Sequence, residues 1–390
     1  MKFLFSIYIS LLILIPTIIV GQNSVPELEN TKISILTCRS GDELYSTFGH
    51  TAIRIVNSED NFDIVYNYGI FSFNTPNFYP KFMRGKLPYY LGVTKTSNFL
   101  NEYTYDKRSV FEQELNLNKE QKRSIIQFLI ENAKPENRAY KYDFFYDNCA
   151  TRVVDVFSSV GEVTYSYAID QKTFRELLKE NLRNLVWSDF GIDLVIGARA
   201  DRYANRRGQM FLPEYVKVNL ESATLDNAVP LAKPVYLVLD FEALDAKRKK
   251  SGTNWPLICT SLFLILTLMV NLANLKIARI YNKTILVVSS IVGLLLLFMW
   301  FGTEHGATKD NWNILWMNPL ILIYLFVKEK FKKGMIYIIS AGLAIAGLNC
   351  IFNFLPQFFN LAFLPIILTL AVIFYKEYQR INKSEVIALT

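Results

Sequence analysis

Histidine is scarce in this chain, which contains two histidines and four cysteines among its 390 residues. The sequence also lacks internal repeats and low-complexity tracts, and it contains no nucleic-acid-binding motif. The formal net charge of +7 is therefore no argument for DNA or RNA as a partner. No cysteine stands directly after the N-terminal apolar run, so this run does not have the pattern of a lipoprotein signal. Nothing in the sequence indicates a metal site or a cofactor, and we expect neither.

The N-terminus has the pattern of an export signal. Lys2 precedes an apolar run over residues 3–20, and small or polar residues follow from Gly21 onward. This pattern predicts a signal peptide over residues 1–21, with an uncleaved signal anchor as the alternative. Under either interpretation the next segment, residues 22–250, is an exported domain.

The C-terminal part, residues 251–390, predicts an all-α bundle of about five membrane-spanning helices. The third and fifth predicted spans are short and contain Pro319 and Pro365, so either one is a candidate for a tilted or re-entrant segment. The five apolar stretches lie near residues 255–275, 284–302, 313–327, 335–354 and 360–375.

Basic residues in the short connections predict the orientation of this bundle, because lysine and arginine are retained on the cytoplasmic side. The connections after the first, third and fifth spans carry Lys276, Arg279 and Lys283, then Lys328, Lys330, Lys332 and Lys333, and finally Lys376, Arg380 and Lys383. The opposite side receives the exported domain and the loop 304–310. We therefore expect a multi-pass protein with a cytoplasmic C-terminus.

The exported domain has the mixed pattern of an α+β fold. Short stretches of β-branched and aromatic residues flank a turn at 57–60, which predicts a β-hairpin over residues 50–69. Farther along, a helix is expected to begin near Cys149, with Asp147 or Asn148 as its N-cap.

Cys149 is the candidate nucleophile. At the first turn of a helix, the helix dipole and unpaired N–H groups favour thiolate over thiol and can stabilise an oxyanion. His50, at the start of a predicted strand, is the candidate base. If the hairpin turns at 58–61, strand alternation places Asn67 on the same face as His50. Asn67 is therefore the candidate for orienting the imidazole.

Cys38 raises a structural alternative. Cys38 and Cys149 are the two cysteines of the exported domain, and disulfides form in exported compartments. A bridge between them would make Cys149 a structural residue, so Cys38 is either a disulfide partner or an auxiliary thiol. Cys259 and Cys350 lie in predicted membrane segments, where we expect them to be packing residues.

Several motifs in one order resemble a single family. The stretches TCRSGDELYSTFGHTAIRI, VYNYGIFSFNTPNFYPKFMRG and YDNCATRVVD resemble the DUF4105 family, the periplasmic domain of Lnb-type lipoprotein N-acyltransferases of Bacteroidetes. The resemblance spans roughly residues 31–240 and continues into FGTEHGATKDNWNILWMNPL, which is similar to the family's outer loop between the second and third membrane helices. The order of histidine, strand and helix-starting cysteine resembles a circularly permuted papain-like fold of the NlpC/P60 and lecithin:retinol acyltransferase kind.

The resemblance implies a reaction and a place for it. A fatty acyl chain would move from a phospholipid through a Cys149 thioester to the α-amine of a diacylglyceryl-cysteine lipoprotein, with His50 transferring protons. Both substrates would be embedded in the outer leaflet of a bacterial inner membrane, with the exported domain in the periplasm. Beside the nucleophile, Asn148 and Arg152 are candidate substrate-binding residues. The sequence does not indicate an oligomeric state.

Three polar residues of the membrane part are further candidates for substrate binding. His305 lies next to Glu304 in the predicted outer loop, where it is either a ligand for a headgroup or amine or a solvated loop histidine. Asn313 and Asn318 fall near the end of a predicted hydrophobic helix, and polar side chains at membrane depth usually face a partner or a cavity.

Two other functions remain open at this stage. One is a hydrolase that uses the same dyad on water, such as a cysteine peptidase, amidase or phospholipase. The other is a non-catalytic membrane receptor or assembly factor in which Cys38 and Cys149 form a disulfide. An acyltransferase predicts a lipid-accessible path between the dyad and the bundle, whereas a hydrolase of soluble substrates predicts a cleft that faces away from it.

Overall fold

The computed structural model describes residues 28–226, 229–248, 250–273 and 276–389. The predicted signal peptide or anchor, residues 1–21, lies outside the described residues. The described ranges contain twelve strands: β1 (Thr31–Cys38), β2 (His50–Asn57), β3 (Phe62–Ile70), β4 (Pro88–Lys95), β5 (Val110–Glu114), β6 (Ala139–Lys141), β7 (Val163–Tyr165), β8 (Lys172–Thr173), β9 (Tyr203–Ala204), β10 (Ala223–Leu225), β11 (Val229–Pro230) and β12 (Tyr236–Leu239).

Fourteen α-helices occur in the same described ranges. Nine lie in the mixed N-terminal domain: α1 (Phe78–Met83), α2 (Thr96–Tyr105), α3 (Lys119–Ala133), α4 (Cys149–Ser158), α5 (Phe174–Leu182), α6 (Val186–Val195), α7 (Arg206–Gln209), α8 (Pro213–Ser222) and α9 (Glu242–Arg248). Five lie in the C-terminal part: α10 (Trp255–Leu272), α11 (Ala278–Leu297), α12 (Leu320–Phe326), α13 (Glu329–Phe352) and α14 (Leu364–Leu389).

Seven strands form one antiparallel sheet in the order β12-β5-β1-β2-β3-β4-β6. The predicted hairpin is present, and its strands β2 and β3 pair with Asn57 opposite Phe62. On its other side β2 pairs with β1, where Cys38 lies opposite His50. His50 is therefore at one end of the sheet, while the turn 58–61 is at the other end.

Helices cover both faces of this sheet. On one face α3 and α4 contribute Ile125, Val153 and Phe157 to the largest core of the N-terminal domain. On the other face α2 contributes Phe99 and Tyr103 to a smaller core. Each such buried side chain stabilises the fold by about 1.5–3 kcal/mol relative to its exposed state. The two cores hold the sheet and the start of α4 in a defined position.

Four helical segments of the described C-terminal part are long and apolar enough to cross a bilayer: Trp255–Leu272, Ala278–Gly302, Glu329–Phe352 and Leu361–Ser384. They correspond to the first, second, fourth and fifth predicted spans. Pro365 does not interrupt the last of them, because it stands in the first turn of α14, where its missing N–H has no intrahelical partner to lose.

The third predicted stretch, 313–327, is not a regular spanning helix, in keeping with its candidacy for an irregular segment. Residues 312–315 form a 3₁₀ turn, and α12 has only seven residues, about 10 Å against a hydrocarbon core of about 30 Å. The 3₁₀ turn ends at Leu315, and α12 begins after its N-cap Pro319. Asn318 Oδ1 accepts the N–H of Leu320, the first residue of α12, at 3.0 Å. Trp316 is fully buried, in keeping with the rule that irregular backbone at membrane depth is covered by protein.

This irregular stretch nevertheless runs from one end of the bundle to the other. Asn313 and Gln357 both donate hydrogen bonds to the C-terminal end of α6 and the residue after it, at 3.0 Å and 3.2 Å. Helix α13 has 24 residues and is about 36 Å long, so its first residue lies at the end of the bundle opposite α6. Near that end the Tyr324 hydroxyl donates to the carboxylate of Glu377 at 2.8 Å. This hydrogen bond brings the basic connection before α13 close to the basic C-terminal tail. The two clusters share one end, as predicted.

Helix α6 joins the N-terminal domain to the bundle. Phe190, Leu194 and Val195 pack against the bundle core. Between them the carboxylate of Asp193, 1 % exposed, accepts hydrogen bonds from Arg175 at 2.7 Å, Lys179 at 2.6 Å and Asn360 at 2.9 Å. A buried carboxylate needs such partners, since an unpaired charge in this environment is strongly destabilising.

We expect Arg175→Leu to lower the free energy of unfolding by about 3–5 kcal/mol, because it removes one partner from a buried charge cluster. Arg199→Leu is the matched control, since the Arg199–Asp310 pair is 44 % and 42 % exposed and is worth at most about 1 kcal/mol. Denaturation of the detergent-solubilised protein measures both. Equal losses of stability in the two variants would contradict a buried joint at Asp193.

Candidate active site

The helix that carries the candidate nucleophile begins at that residue. Asn148 is the N-cap of α4: its Oδ1 accepts the Thr151 N–H at 2.9 Å, and its own N–H donates to Thr151 Oγ1 at 2.7 Å. Asn148 Nδ2 donates to the carbonyl oxygens of Phe144 and Phe211. The Asn148 side chain, 3 % exposed, therefore holds the helix start in place. The prediction that Asn148 binds substrate stays a prediction.

The predicted pairing of His50 with Asn67 is present. His50 Nε2 lies 2.6 Å from Asn67 Oδ1, and an amide oxygen only accepts, so Nε2 is the donor. The His50 ring also hydrogen-bonds the thiol of Cys149, which leaves Nδ1 for that contact. The three side chains form the thiol–imidazole–amide series that the sequence predicts, while their catalytic roles stay a prediction.

The backbone of β3 comes close to the dyad at Gly69. Gly69 has φ +94°, a conformation that favours glycine. A Cβ atom added there would lie 3.5 Å from Cys149 Cβ, 3.9 Å from His50 Cε1 and 4.0 Å from the hydroxyl oxygen of Tyr140. Those three side chains therefore converge on one small space beside Gly69.

Burial and hydrogen bonding set the protonation of the dyad. Burial raises the pKa of the Cys149 thiol, but the His50 charge, the His50 hydrogen bond and the N–H groups of Thr51 and Ala150 outweigh it, so that this pKa lies below its usual value. Burial lowers the pKa of His50, but the Cys149 charge and hydrogen bonds from Cys149 and Asn67 outweigh it, so that this pKa is raised. The lowered pKa of Cys149 and the raised pKa of His50 both favour a thiolate–imidazolium pair at neutral pH.

Tyr140 is a site residue that sequence reasoning missed. Its hydroxyl is buried and has no hydrogen-bond partner among the described residues. The Arg152 guanidinium lies over its ring, 4.2 Å from the centroid, and is itself held by both carboxylate oxygens of Asp147. Arg152, a predicted substrate contact, thus supports Tyr140. The sequence contained no signal that separates Tyr140 from its neighbours Tyr142 and Tyr146.

Cys38 is near the dyad but not bonded to it. Both Cys38 and Cys149 are free thiols, so the expected alternative of a disulfide is not what the structure contains. Cys38 packs with Phe99 and Tyr103 on the α2 face of the sheet, whereas Cys149 packs in the core on the α4 face. Burial raises the pKa of Cys38 to about 12, so its thiol is protonated at neutral pH, and a role as an auxiliary thiol stays a prediction.

The loop that follows α11 contacts the N-terminal domain beside the candidate active site. His305 Nε2 lies 3.1 Å from the carbonyl oxygen of Phe82, and Glu304 forms ion pairs with Lys86 and Lys141. Next to them, Gly306 packs against the carboxylate of Asp143, in the segment that leads into α4. His305 is thus a contact between the loop and the N-terminal domain.

Asn313 and Asn318 lie elsewhere. Asn313 is fully buried, donates to the carbonyl oxygens of Asp193 and Leu194, and accepts from Trp316 Nε1 at 2.9 Å. Asn318 caps α12. The structure therefore accounts for both side chains by contacts within the joint and the irregular stretch, and it does not bring them to the dyad.

Two large apolar grooves lie between described residues of the bundle, and neither of them contains the dyad. Each has a volume of about 620 Å³, one between α13 and α14 and the other between α10 and α11. Among the described residues, no group of three or more His, Cys, Asp and Glu side chains is arranged to hold a metal ion.

Two family models match the chain. Residues 24–180 match the Lnb N-terminal periplasmic domain, and residues 248–384 match the Lnb transmembrane domain. Comparisons with curated proteins and with solved structures gave no match. The permuted papain-like fold therefore stays a prediction.

We expect His50→Ala to slow alkylation of Cys149 by iodoacetamide at neutral pH and to move the pH profile of the rate toward higher pH. The reason is that the His50 charge and hydrogen bond keep the pKa of the thiol low, and only the thiolate reacts. Mass spectrometry of the Cys149 peptide measures the rate against pH. The peptide of Cys38, whose pKa is raised to about 12, is the internal control and is expected to remain unmodified. An unchanged Cys149 profile would contradict the coupling.

Proposed function

Because the chain belongs to the Lnb family, whose two domains both match it in order, we propose that it is a lipoprotein N-acyltransferase. It takes a fatty acyl chain from a phospholipid, holds it as a thioester on Cys149 and transfers it to the α-amine of a diacylglyceryl-cysteine lipoprotein. The protein acts in a bacterial inner membrane, with its N-terminal domain in the periplasm and its C-terminus in the cytoplasm.

One observation carries this proposal: the dyad lies at the end of the sheet that meets the outer loop of the bundle. His50 begins β2 and Gly69 is near the end of β3, so both are at the same end. At that end Lys86, just before β4, and Lys141, the last residue of β6, form ion pairs with Glu304. The far end of β2 is about 25 Å away at 3.3 Å per residue. A site for membrane-embedded substrates needs this arrangement, and a cleft for soluble substrates does not.

The first half of the reaction makes the thioester. The Cys149 thiolate attacks the ester carbonyl of the phospholipid and forms a tetrahedral oxyanion. When the intermediate collapses, the C–O bond breaks and the His50 imidazolium gives its proton to the departing alcohol, a lysophospholipid. The products are an acyl–Cys149 thioester and a neutral His50, so charge and protons balance.

The second half transfers the acyl group. Neutral His50 takes a proton from the α-amine of the lipoprotein as the amine nitrogen attacks the thioester carbonyl. The C–S bond breaks, an amide forms, and the thiolate returns beside the imidazolium. Burial of Cys149, 8 % exposed, limits the access of water and so favours the amine over hydrolysis of the thioester.

Two kinds of donor are available to the tetrahedral oxyanion. The N–H groups at the start of α4 have no intrahelical acceptors. Asn148 Oδ1 accepts that of Thr151 and the Cys149 sulfur accepts that of Ala150, so the N–H of Cys149 itself is the backbone donor that we propose for the oxyanion. The Tyr140 hydroxyl shares the space beside Gly69 with Cys149 and has no partner among the described residues. We assign Tyr140 the role of a donor to this oxyanion.

We expect Cys149→Ser and His50→Ala each to abolish conversion of diacyl to triacyl lipoproteins in bacterial cells that lack other N-acyltransferases. Both changes remove a group that the thioester route requires. Mass spectrometry of lipoprotein N-termini provides the measurement, and Cys259→Ser, an exposed thiol of α10, is the control that should retain activity. Normal triacylation in the dyad variants would overturn the mechanism. Free fatty acid as the product of the wild type would indicate a hydrolase.

For Tyr140→Phe we expect a fall in the acyl-transfer rate of about 10²-fold, the usual effect of losing one oxyanion donor. Tyr68→Phe is the matched control, because the Tyr68 hydroxyl donates to Asn132 at 2.8 Å. Its loss costs about 1 kcal/mol of stability and no chemistry. Purified variants assayed with phospholipid vesicles and a lipopeptide give the rates. A Tyr140→Phe enzyme as fast as the Tyr68→Phe enzyme would remove Tyr140 from the mechanism.

A further inference from the structure

Between β3 and β4 the chain leaves the sheet and exposes large apolar side chains. We call residues 71–83, which include α1, the aromatic segment. The side chains of Phe73 and Tyr79 are 72 % and 74 % exposed, and those of Phe82 and Met83 are 50 % and 53 % exposed. A contiguous patch of this kind on a protein surface marks a place where another apolar phase or partner is met.

The aromatic segment is ordered by its own ring contacts. Phe73 lies 5.2 Å from Phe71 and 4.9 Å from Phe78, measured between ring centroids. Phe71 in turn contacts Tyr89 of β4 at 5.5 Å. The exposed rings are therefore held in one arrangement above the end of the sheet, so that little conformational freedom is lost when something covers them.

The position of the segment relative to the membrane follows from two contacts with the outer loop. Glu304 N–H donates to the carbonyl oxygen of Arg84 at 2.8 Å, and the His305 ring contacts the carbonyl oxygen of Phe82. Both loop residues come within three residues of Gly302, where the second membrane-spanning segment ends. Three residues of chain reach about 10 Å at most, so the aromatic segment lies at the depth of the membrane surface.

Charge in this region suits a phospholipid surface. From Ile64 to Asn101 the chain contains no aspartate or glutamate. Within and beside the aromatic segment it carries Lys81 and Arg84, and also Lys86, which pairs with Glu304. Aromatic side chains next to lysine and arginine are the composition of membrane–water interfaces, where rings enter the acyl boundary and the cations meet anionic headgroups.

We propose that the aromatic segment inserts into the outer leaflet of the membrane and forms the entry by which phospholipid reaches the dyad. Gly69, which lines the dyad, is two residues before Phe71, so a lipid beside the inserted rings has its ester near Cys149. The proposal that the aromatic segment inserts depends only on the position of this segment and on its composition. The role in lipid entry rests on the proposed acyltransferase function.

Insertion is tested with tryptophan substitutions in the full-length protein reconstituted into nanodiscs. Phe73→Trp and Tyr79→Trp are compared with Ser58→Trp, which places the same ring on the exposed turn at the far end of the sheet. Phospholipids brominated on their acyl chains quench tryptophan only on close contact. We expect the fluorescence added by Phe73→Trp and Tyr79→Trp, after subtraction of the parent protein, to be quenched at least several-fold more than that of Ser58→Trp. Quenching equal to the control would overturn the insertion.

The entry role is tested separately. We expect Phe73→Ser combined with Phe82→Ser to reduce acyl transfer from phospholipid vesicles by about tenfold or more, while iodoacetamide alkylates Cys149 at the parental rate. Unchanged transfer would overturn the entry role. Absence of acyl transfer in the parent protein would instead count against the proposed function, and the quenching result would still decide the insertion.

Discussion

The buried carboxylate of Asp193 is the constraint on which the arrangement of the two parts depends. It receives hydrogen bonds from Arg175 and Lys179 on α5 and from Asn360 ahead of α14. A charge at 1 % exposure tolerates no loss of these partners without a large penalty. The N-terminal domain is therefore attached to the bundle through α6 in one orientation, and the end of the sheet that carries the dyad meets the outer loop.

The chemistry of the proposed function explains why such an attachment is useful. Moving an acyl chain of about 16 carbons from the bilayer into water costs about 13 kcal/mol at about 0.8 kcal/mol per CH₂. An enzyme that raised its lipid substrate to a distant site would have to supply that free energy. A site held at the membrane surface avoids most of it, because the chain stays in an apolar environment while its ester reaches Cys149.

Within the site, the same few residues determine position and reactivity. The capping box of Asn148 and Thr151 fixes where α4 begins, and so where the thiol and the first N–H groups of the helix point. His50, oriented by Asn67, lowers the pKa of that thiol. Gly69 leaves the space into which Cys149, His50 and the Tyr140 hydroxyl converge. A Cβ atom at Gly69 would lie 3.5 Å from Cys149 Cβ and 3.9 Å from His50 Cε1, and so would enter that space.

Local patterns in the sequence were sufficient for several of these features. Strand alternation about the turn 58–61 placed Asn67 beside His50, and capping preferences placed a helix start at Cys149, because both depend on residues a few positions apart. Apolar runs identified the four regular spans for the same reason. Only the tertiary structure decided that Cys38 and Cys149 lie on different faces of the sheet.

The tertiary structure also decided that Tyr140 enters the site, and that residues 312–327 cross the bundle irregularly under the cover of neighbouring helices. It further determined that α6 joins the two parts. The physical reason is that each of these outcomes depends on which distant surfaces pack together. Contacts between residues more than a hundred positions apart produce no periodic pattern in the sequence. Hydrogen bonds within one helical turn or one hairpin do produce such a pattern, because they depend on residues a few positions apart.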